Sequence, residues 1–373
     1  LLGVKDIFHV EGFETRAGSR LPPARLAGPE AVAVRALKTA GVLVLGKTVT
    51  TEFAFFSPGP TRNPWDAGRT PGGSSSGSAA ATAAGFCHLA LGTQTIGSII
   101  RPAAYCGISG WKPSYGRVSA EGVFPFSPSA DHVGLLGPDV RALALGAGIL
   151  CPDWRGLPGT RRKPVLAVPD GPYLDQASTE ALVVFEQAVF ALTEAGWTVR
   201  RVPAFREILE INARHRRIAA AELCRTHAEL FSEYGELYAP VTRDMILEGR
   251  AVTAARLAGD LEGRRALRLE LEEALYNSGA EFWISPSALG PAPEGIESTG
   301  SPAMNLPWTH AGLPALSLAA GRFQDGLPAG LQIVTRFWED ENLLAWGLEV
   351  ESELRRLTGC PIAPRARREN RPK

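Results

Sequence analysis

The sequence predicts an α/β protein, one large domain in which a central mixed β-sheet is covered by helices on both faces. Three observations predict it. Short apolar runs of strand composition alternate along the chain with stretches of helical period, the pattern of a sheet layered with helices. Several helical stretches carry their own start and stop residues. The chain has 373 residues, 45% of them apolar, which is enough for one large core.

The elements follow in order. Lys5 closes a short apolar stretch, GVK, before a polar turn. A helix is expected from Pro29 to Ala40, closed at Gly41, and then a strand, VLVLGKT, over 42–48. Residues 51–78 are rich in Gly, Pro, Ser and Asn, which excludes regular helix or central strand. The small-residue run at 78–85 leads to a strand, HLALGTQT, at 88–95, which turns into a helix. VLAVPDG (165–171) is a strand before a helix from Thr179 to Ala195, with Ser178 as N-cap and Gly196 as stop. Residues 205–278 are long, charged and helical, and are expected to form a helical subdomain or lid flanking the active site. PALSLAAG and GLQIVTR are strands. Asp340 is expected to cap a last helix that runs to about Leu357 and stops near Gly359. Residues 1–373 form a single domain in this reading, with 361–373 as a solvated basic tail.

Charge and cysteine content narrow the function. Basic and acidic residues balance, 39 against 39, so no global field favours nucleic acid or an anionic membrane, and neither is expected as a partner. No run of apolar residues is long enough to span a bilayer. The 5 cysteines, at 87, 106, 151, 224 and 360, include no CxxC pair. Neither a disulfide scaffold nor a zinc site is expected, and a reducing cytoplasm is the expected location. The chain opens LLGVKD without an initiator Met, so natural residues are expected to precede it.

Ser98, in GTQTIGSIIRP, stands after a glycine at the head of an apolar run. A serine hydroxyl is a poor nucleophile until something takes its proton. The loop RTPGGSSSGSAAA (69–81) is no phosphate cradle, because no Lys follows it. Residues 73–77 match GxSxG literally, but Arg69-Thr70-Pro71 is a poor strand and the available His310 lies in a loop-like LPWTHAGLP. A flexible linker is the remaining local reading. A lysine such as Lys5 is ordinarily a solvated charge, yet it can act as a base once burial keeps it neutral.

GVKD at 3–6, GKTVTTEFA, TRNPWD, PGGSSSGSAAATAAG and GTQTIGSIIRPAAYCGISGWKPSYGRVS together resemble the amidase signature family, as does TGSPAMNLPWTHAGLPALSLAAG with GLPAGLQIV. The resemblance runs in order over nearly the whole chain. It implies a Ser–cis-Ser–Lys triad: Ser98 as nucleophile, Ser74 as the bridging serine after a cis peptide bond, and Lys5 as base. The family's spacing between the two serines is kept. Backbone N–H groups of Thr95, Ile96, Gly97 and Ser98, at the turn from strand to helix, are expected to form the oxyanion hole.

Candidate substrate contacts are Gly73, Arg101, Phe124 and Phe126. Arg101, on the helix face of Ser98, either binds a substrate carboxylate or holds the site by a structural ion pair. Phe124 and Phe126 either line the entrance or are local core. Family members usually carry Gly or Ala where Ile96 stands, so Ile96 is expected to keep φ < 0 and to shape the pocket. Ser76 replaces a common Gly.

The resemblance implies a serine hydrolase that cleaves amide C–N bonds, and in some members carbamate (urethane) or ester bonds, through an acyl-enzyme, with no cofactor and no metal. A small-molecule amide or carbamate is the expected partner, and a homodimer is left open. The alternative is a glutaminase-type component of an amidotransferase complex. A degenerate scaffold is opposed by the three filled triad positions.

Overall fold

The computed structural model describes residues 1–159 and 162–358. Ten strands form one mixed sheet. They are β1 (Leu2–Lys5), β2 (Val44–Thr48), β3 (Leu89–Gln94), β4 (Ser109–Lys112), β5 (His132–Gly137), β6 (Val165–Asp170), β7 (Thr198–Pro203), β8 (Phe282–Pro286), β9 (Ala315–Arg322) and β10 (Pro328–Val334). Their order across the sheet is β2-β1-β3-β5-β4-β9-β10-β8-β6-β7. The two ends are parallel, β2-β1-β3 and β8-β6-β7, and the middle is antiparallel.

The helices are α1 (Val32–Thr39), α2 (Ser76–Ala83), α3 (Ile100–Cys106), α4 (Val140–Leu150), α5 (Thr179–Glu194), α6 (Ile208–Thr226), α7 (Ala228–Tyr234), α8 (Pro240–Gly249), α9 (Ala254–Ser278), α10 (Leu306–Ala311) and α11 (Asp340–Thr358). Strand alternation assigns them to two faces. On one face Leu89, Leu91, Val133 and Leu135 join Leu143 and Ala147 of α4 and Leu343 of α11. On the other, Ala90 and Leu136 join Ala79 of α2 and Ala103 of α3. Leu2 and Val4 belong to the first of these cores, which leaves Lys5 on the side of α2.

Most expected elements are present with shorter bounds. The first helix begins at Val32, because Ala31 is still extended (φ −59°, ψ 135°). Ser178 Oγ accepts from Ala181 N–H at 3.1 Å, and Gly196 takes φ +84° at the stop. Helix α2 starts at Ser76, inside the stretch expected to be irregular; its small residues let it lie against the sheet, with Ser78 Oγ donating to Leu91 O at 2.9 Å. A 3-10 turn, Glu52–Ala54, also falls in that stretch. Asp340 is the first residue of α11 rather than its cap, and its Oδ1 accepts from Ser114 N–H at 3.0 Å. LPWTHA is a helix, α10, and not a loop. Gly359 and the 361–373 tail lie outside the described residues.

The charged segment 205–278 forms α6 to α9. It is held to the site's surroundings by Ser127 Oγ donating to Glu222 at 2.6 Å and by Ala239 N–H donating to Glu52 at 3.0 Å. Among the described residues no helix is long and apolar enough to cross a membrane.

Candidate active site

Lys5 ends β1 and is 0% exposed. Its Nζ lies 2.7 Å from Ser74 Oγ and 2.8 Å from Thr93 Oγ1. No carboxylate among the described residues pairs with it. Burial therefore holds its pKa well below the usual 10.5, opposed only in part by the field of Asp131. Two hydroxyls and no counter-ion in contact are the surroundings of a neutral amine with a lone pair to offer.

Ser74 follows the Gly73-Ser74 peptide bond, which is cis. Two glycines allow the serine loop to lie this close to the sheet. A Cβ on Gly92 would come within 3.0 Å of Ser75 Oγ, and one on Gly77 would meet Val49 N at 2.3 Å. Ser75 ties the loop to the sheet and to Ser98: its Oγ donates to Thr93 O at 3.2 Å, and its N–H donates to Ser98 O at 3.4 Å. Ser74 and Ser98 thus line one cavity, together with Ala54, Phe55, Phe56, Thr95, Ile96, Gly97, Arg101 and Pro302.

The loop from Thr95 to Ser98 is braced from behind. The Gln94 carboxamide accepts from Ile99 and Ile100 N–H at 2.8 and 2.9 Å, and donates to Thr309 Oγ1 at 2.9 Å. Thr309 Oγ1 donates in turn to Ile96 O at 2.7 Å. Among the described residues, no protein acceptor takes the N–H groups of Thr95, Ile96, Gly97 or Ser98. Free backbone donors beside a serine are what a developing oxyanion requires. A Cβ on Gly97 would meet Asn305 Oδ1 at 2.5 Å, so only glycine fits there. Ile96 keeps out of the left-handed region and is half-buried at the cavity wall.

The family model described as Amidase matches residues 1–344. The chain belongs to the amidase family. Enzymes of this family hydrolyse amides. One relative, a glutamyl-tRNA(Gln) amidotransferase subunit of Thermus thermophilus, is 34% identical over 94% of this chain and 84% of its own length. Another, AtzE, which is part of the 1-carboxybiuret hydrolase of Pseudomonas sp., is 34% identical over 92% of this chain and 81% of its own. A crystal structure of an amidase superposes with a TM-score of 0.86 at 35% identity, covering 94% of this chain and 83% of that one.

In this amidase fold the other expected contacts divide. Arg101 is buried and has no acidic partner in contact among the described residues; its Nη2 donates to Gly73 O at 2.6 Å and Thr299 Oγ1 at 3.1 Å. Among the described residues it forms no structural ion pair. Among the described residues its Nε and Nη1 have no hydrogen-bond partner, and burial lowers its pKa to about 10. Gly73 acts through that carbonyl and is not on the cavity wall. Phe124 and Phe126 line a second cavity of about 180 Å³, which shares Ala54 and Thr95 with the first. Both are also packed on aromatic neighbours, Phe124 on Phe53 and His227, and Phe126 on Phe55. His310 is turned away to His215, with ring nitrogens 3.3 Å apart.

Thr93, Gln94, Asp131 and Thr309 were not among the residues singled out from the sequence. Thr93 and Gln94 stand in GTQT itself. Asp131 and Thr309 are distant in the chain, and only the fold brings them to the loop.

Proposed function

We propose that the chain is a serine hydrolase that cleaves the C–N bond of a small amide through an acyl-enzyme on Ser98. The observation that carries this reading is the buried Lys5 amine in contact with Ser74, whose hydroxyl shares a cavity with Ser98 and the free N–H groups of its loop. Ser98 Oγ attacks the carbonyl carbon. Its proton passes to Ser74 Oγ, and the Ser74 proton passes to the Lys5 lone pair. The N–H groups of Thr95, Ile96, Gly97 and Ser98 hold the oxyanion. Collapse breaks the C–N bond, the proton returns through Ser74 to the leaving nitrogen, and water then cleaves the ester by the same relay.

The cavity walls suggest the substrate class. Arg101 offers two unpartnered N–H sites, which suit a carboxylate or carbonyl acceptor on the substrate. The apolar space beyond Thr95, with Phe124 and Phe126, suits an aromatic or branched group. Carbamates and esters of such acyl groups are further substrates in this reading.

Incubation with a serine-directed fluorophosphonate and intact-mass measurement test the nucleophile. Wild type gains one adduct and Ser98→Ala gains none; equal labelling of both would overturn the assignment. The likeness to the Thermus amidotransferase component favours a second reading, a glutaminase that works within a complex. Hydrolysis of a simple aryl amide by the isolated chain decides for the first reading.

A further inference from the structure

Taking the serine proton makes Lys5 a cation in a fully buried position with no ion-pair partner in contact. A charge buried in that way is costly unless something compensates it. Asp131 is a carboxylate whose field reaches Lys5. Its Oδ1 accepts from Thr95 Oγ1 at 2.6 Å, and its Oδ2 accepts from Phe126 and Ser127 N–H at 2.9 and 3.0 Å. Three donors turned on one carboxyl group are the setting of an ionised carboxylate. They oppose the upward pull that burial exerts on its pKa. Thr93 touches Lys5, Thr95 touches Asp131, and both threonines line one cavity with Asp131.

We propose that Asp131 is a positioning residue of the reaction: its carboxylate is the counter-charge to Lys5 when the lysine holds the serine proton, and through Thr95 it fixes the loop of oxyanion-binding N–H groups. This rests on the reading of Lys5 as base. No bond to Asp131 forms or breaks. As the Ser98 O–H bond breaks and the O–C bond forms, Lys5 gains one positive charge and the substrate oxygen one negative charge. Asp131 stabilises the first of these at a distance and aims the donors for the second.

The neighbouring charges are engaged elsewhere. Asp6, next to Lys5, pairs with Lys47 at 2.6 Å. From α6, Glu222 accepts from Ser127 Oγ and Ser129 N–H. From α9, Arg264 donates to the carbonyl oxygens of His310 and Ser129. His132 is buried and neutral, its Nδ1 held by the carbonyl oxygens of Ala130 and Gln94 at 2.6 and 3.1 Å. The field of Asp131 favours the ammonium form of Lys5.

The test is the pH dependence of the fluorophosphonate labelling rate at Ser98 for wild type, Asp131→Asn, Asp131→Ser and Asp131→Glu. Labelling of wild type falls on the acid side as Lys5 protonates. Removing the negative charge lowers the Lys5 pKa, so in Asp131→Asn the acid midpoint moves down by about one pH unit, and the plateau rate falls roughly tenfold. Asp131→Ser removes the same charge with a smaller side chain and gives the same displacement. Asp131→Glu restores the midpoint. Neutral variants that label slowly with the wild-type midpoint would make Asp131 merely structural and overturn the proposal alone. A wild type with no acid limb would overturn the Lys5 reading, and this proposal with it.

Discussion

At Lys5 solvation and charge oppose each other. A lysine in water is a cation at neutral pH; burial at 0% exposure, against two hydroxyls, favours the free amine. Its folded pKa is lowered, so in the proposed reaction the base is active above that lowered value and is lost as pH falls through it. Lys5→Met keeps the length and the burial but removes the lone pair. It should lower kcat by about 10²–10⁴-fold, the usual worth of a general base, and abolish the acid limb of the pH–rate profile. A Lys5→Met enzyme with near wild-type kcat would overturn its role as base. Ile96 carries a separate prediction. Its side chain occupies the cavity wall two residues before Ser98. Ile96→Gly should raise the rate on bulky amides relative to small ones. Relative rates unchanged across such a series would remove it from substrate selection.

At the scale of elements, the site depends on how β3 hands over to α3. One carboxamide, Gln94, satisfies the N–H groups of Ile99 and Ile100 and holds Thr309, which holds the Ile96 carbonyl. Gln94→Ala orphans these groups in a dry interior, at a cost of roughly 1–3 kcal/mol. Thermal unfolding should show the loss, and kcat should fall more than KM rises, because the donors proposed for the oxyanion lose their aim. This handover was partly legible in the sequence. GTQTIGS pointed to the turn and its serine, and Ser178 and Gly196 marked α5, because these signals are local. Strands β4 (SGWK) and β5 (HVGLLG) were not legible: they are short, buried on both faces and interrupted by glycine, so they show no alternation. Helix α10 has only six residues, too few for a period, although Pro307 at its start and Gly312 at its end (φ +74°) were readable signals. Asp131 reaches Thr95 only through the antiparallel pairing of β3 with β5, a relation that no short stretch of sequence contains.

Across the whole molecule, the burial that makes the site also shapes its tolerance of acid. Several histidines are buried, His215 against His310 and His227 among Phe53, Phe124 and Tyr238. His227, with Nδ1 3.0 Å from Tyr238 Oη, has its pKa lowered from 6.5 to about 4; His215, against His310, is lowered to about 3. Burial is the main cause in both. The sign follows from proton counting. Between pH 6.5 and about 4 the unfolded chain binds protons at these positions and the folded chain does not, so stability falls as pH falls. Each pKa unit is worth about 1.4 kcal/mol, so two such histidines remove several kcal/mol across this window. The buried carboxyls Asp131, Asp340 and Glu351 have raised pKa values and act in the opposite direction, binding protons more readily folded than unfolded. Their window lies between the raised folded value and the ordinary carboxylate range, so it overlaps the histidine window and offsets part of that slope. The histidine contribution should therefore lower the melting temperature as pH falls from 6.5 to about 4. His227→Phe keeps the aromatic packing on Phe53 and Phe124 and removes one titrating group. It should make the decline shallower even where it lowers stability at pH 7 through the lost Tyr238 contact. A variant whose melting temperature falls as steeply as wild type would show that this histidine is already solvated in the folded protein.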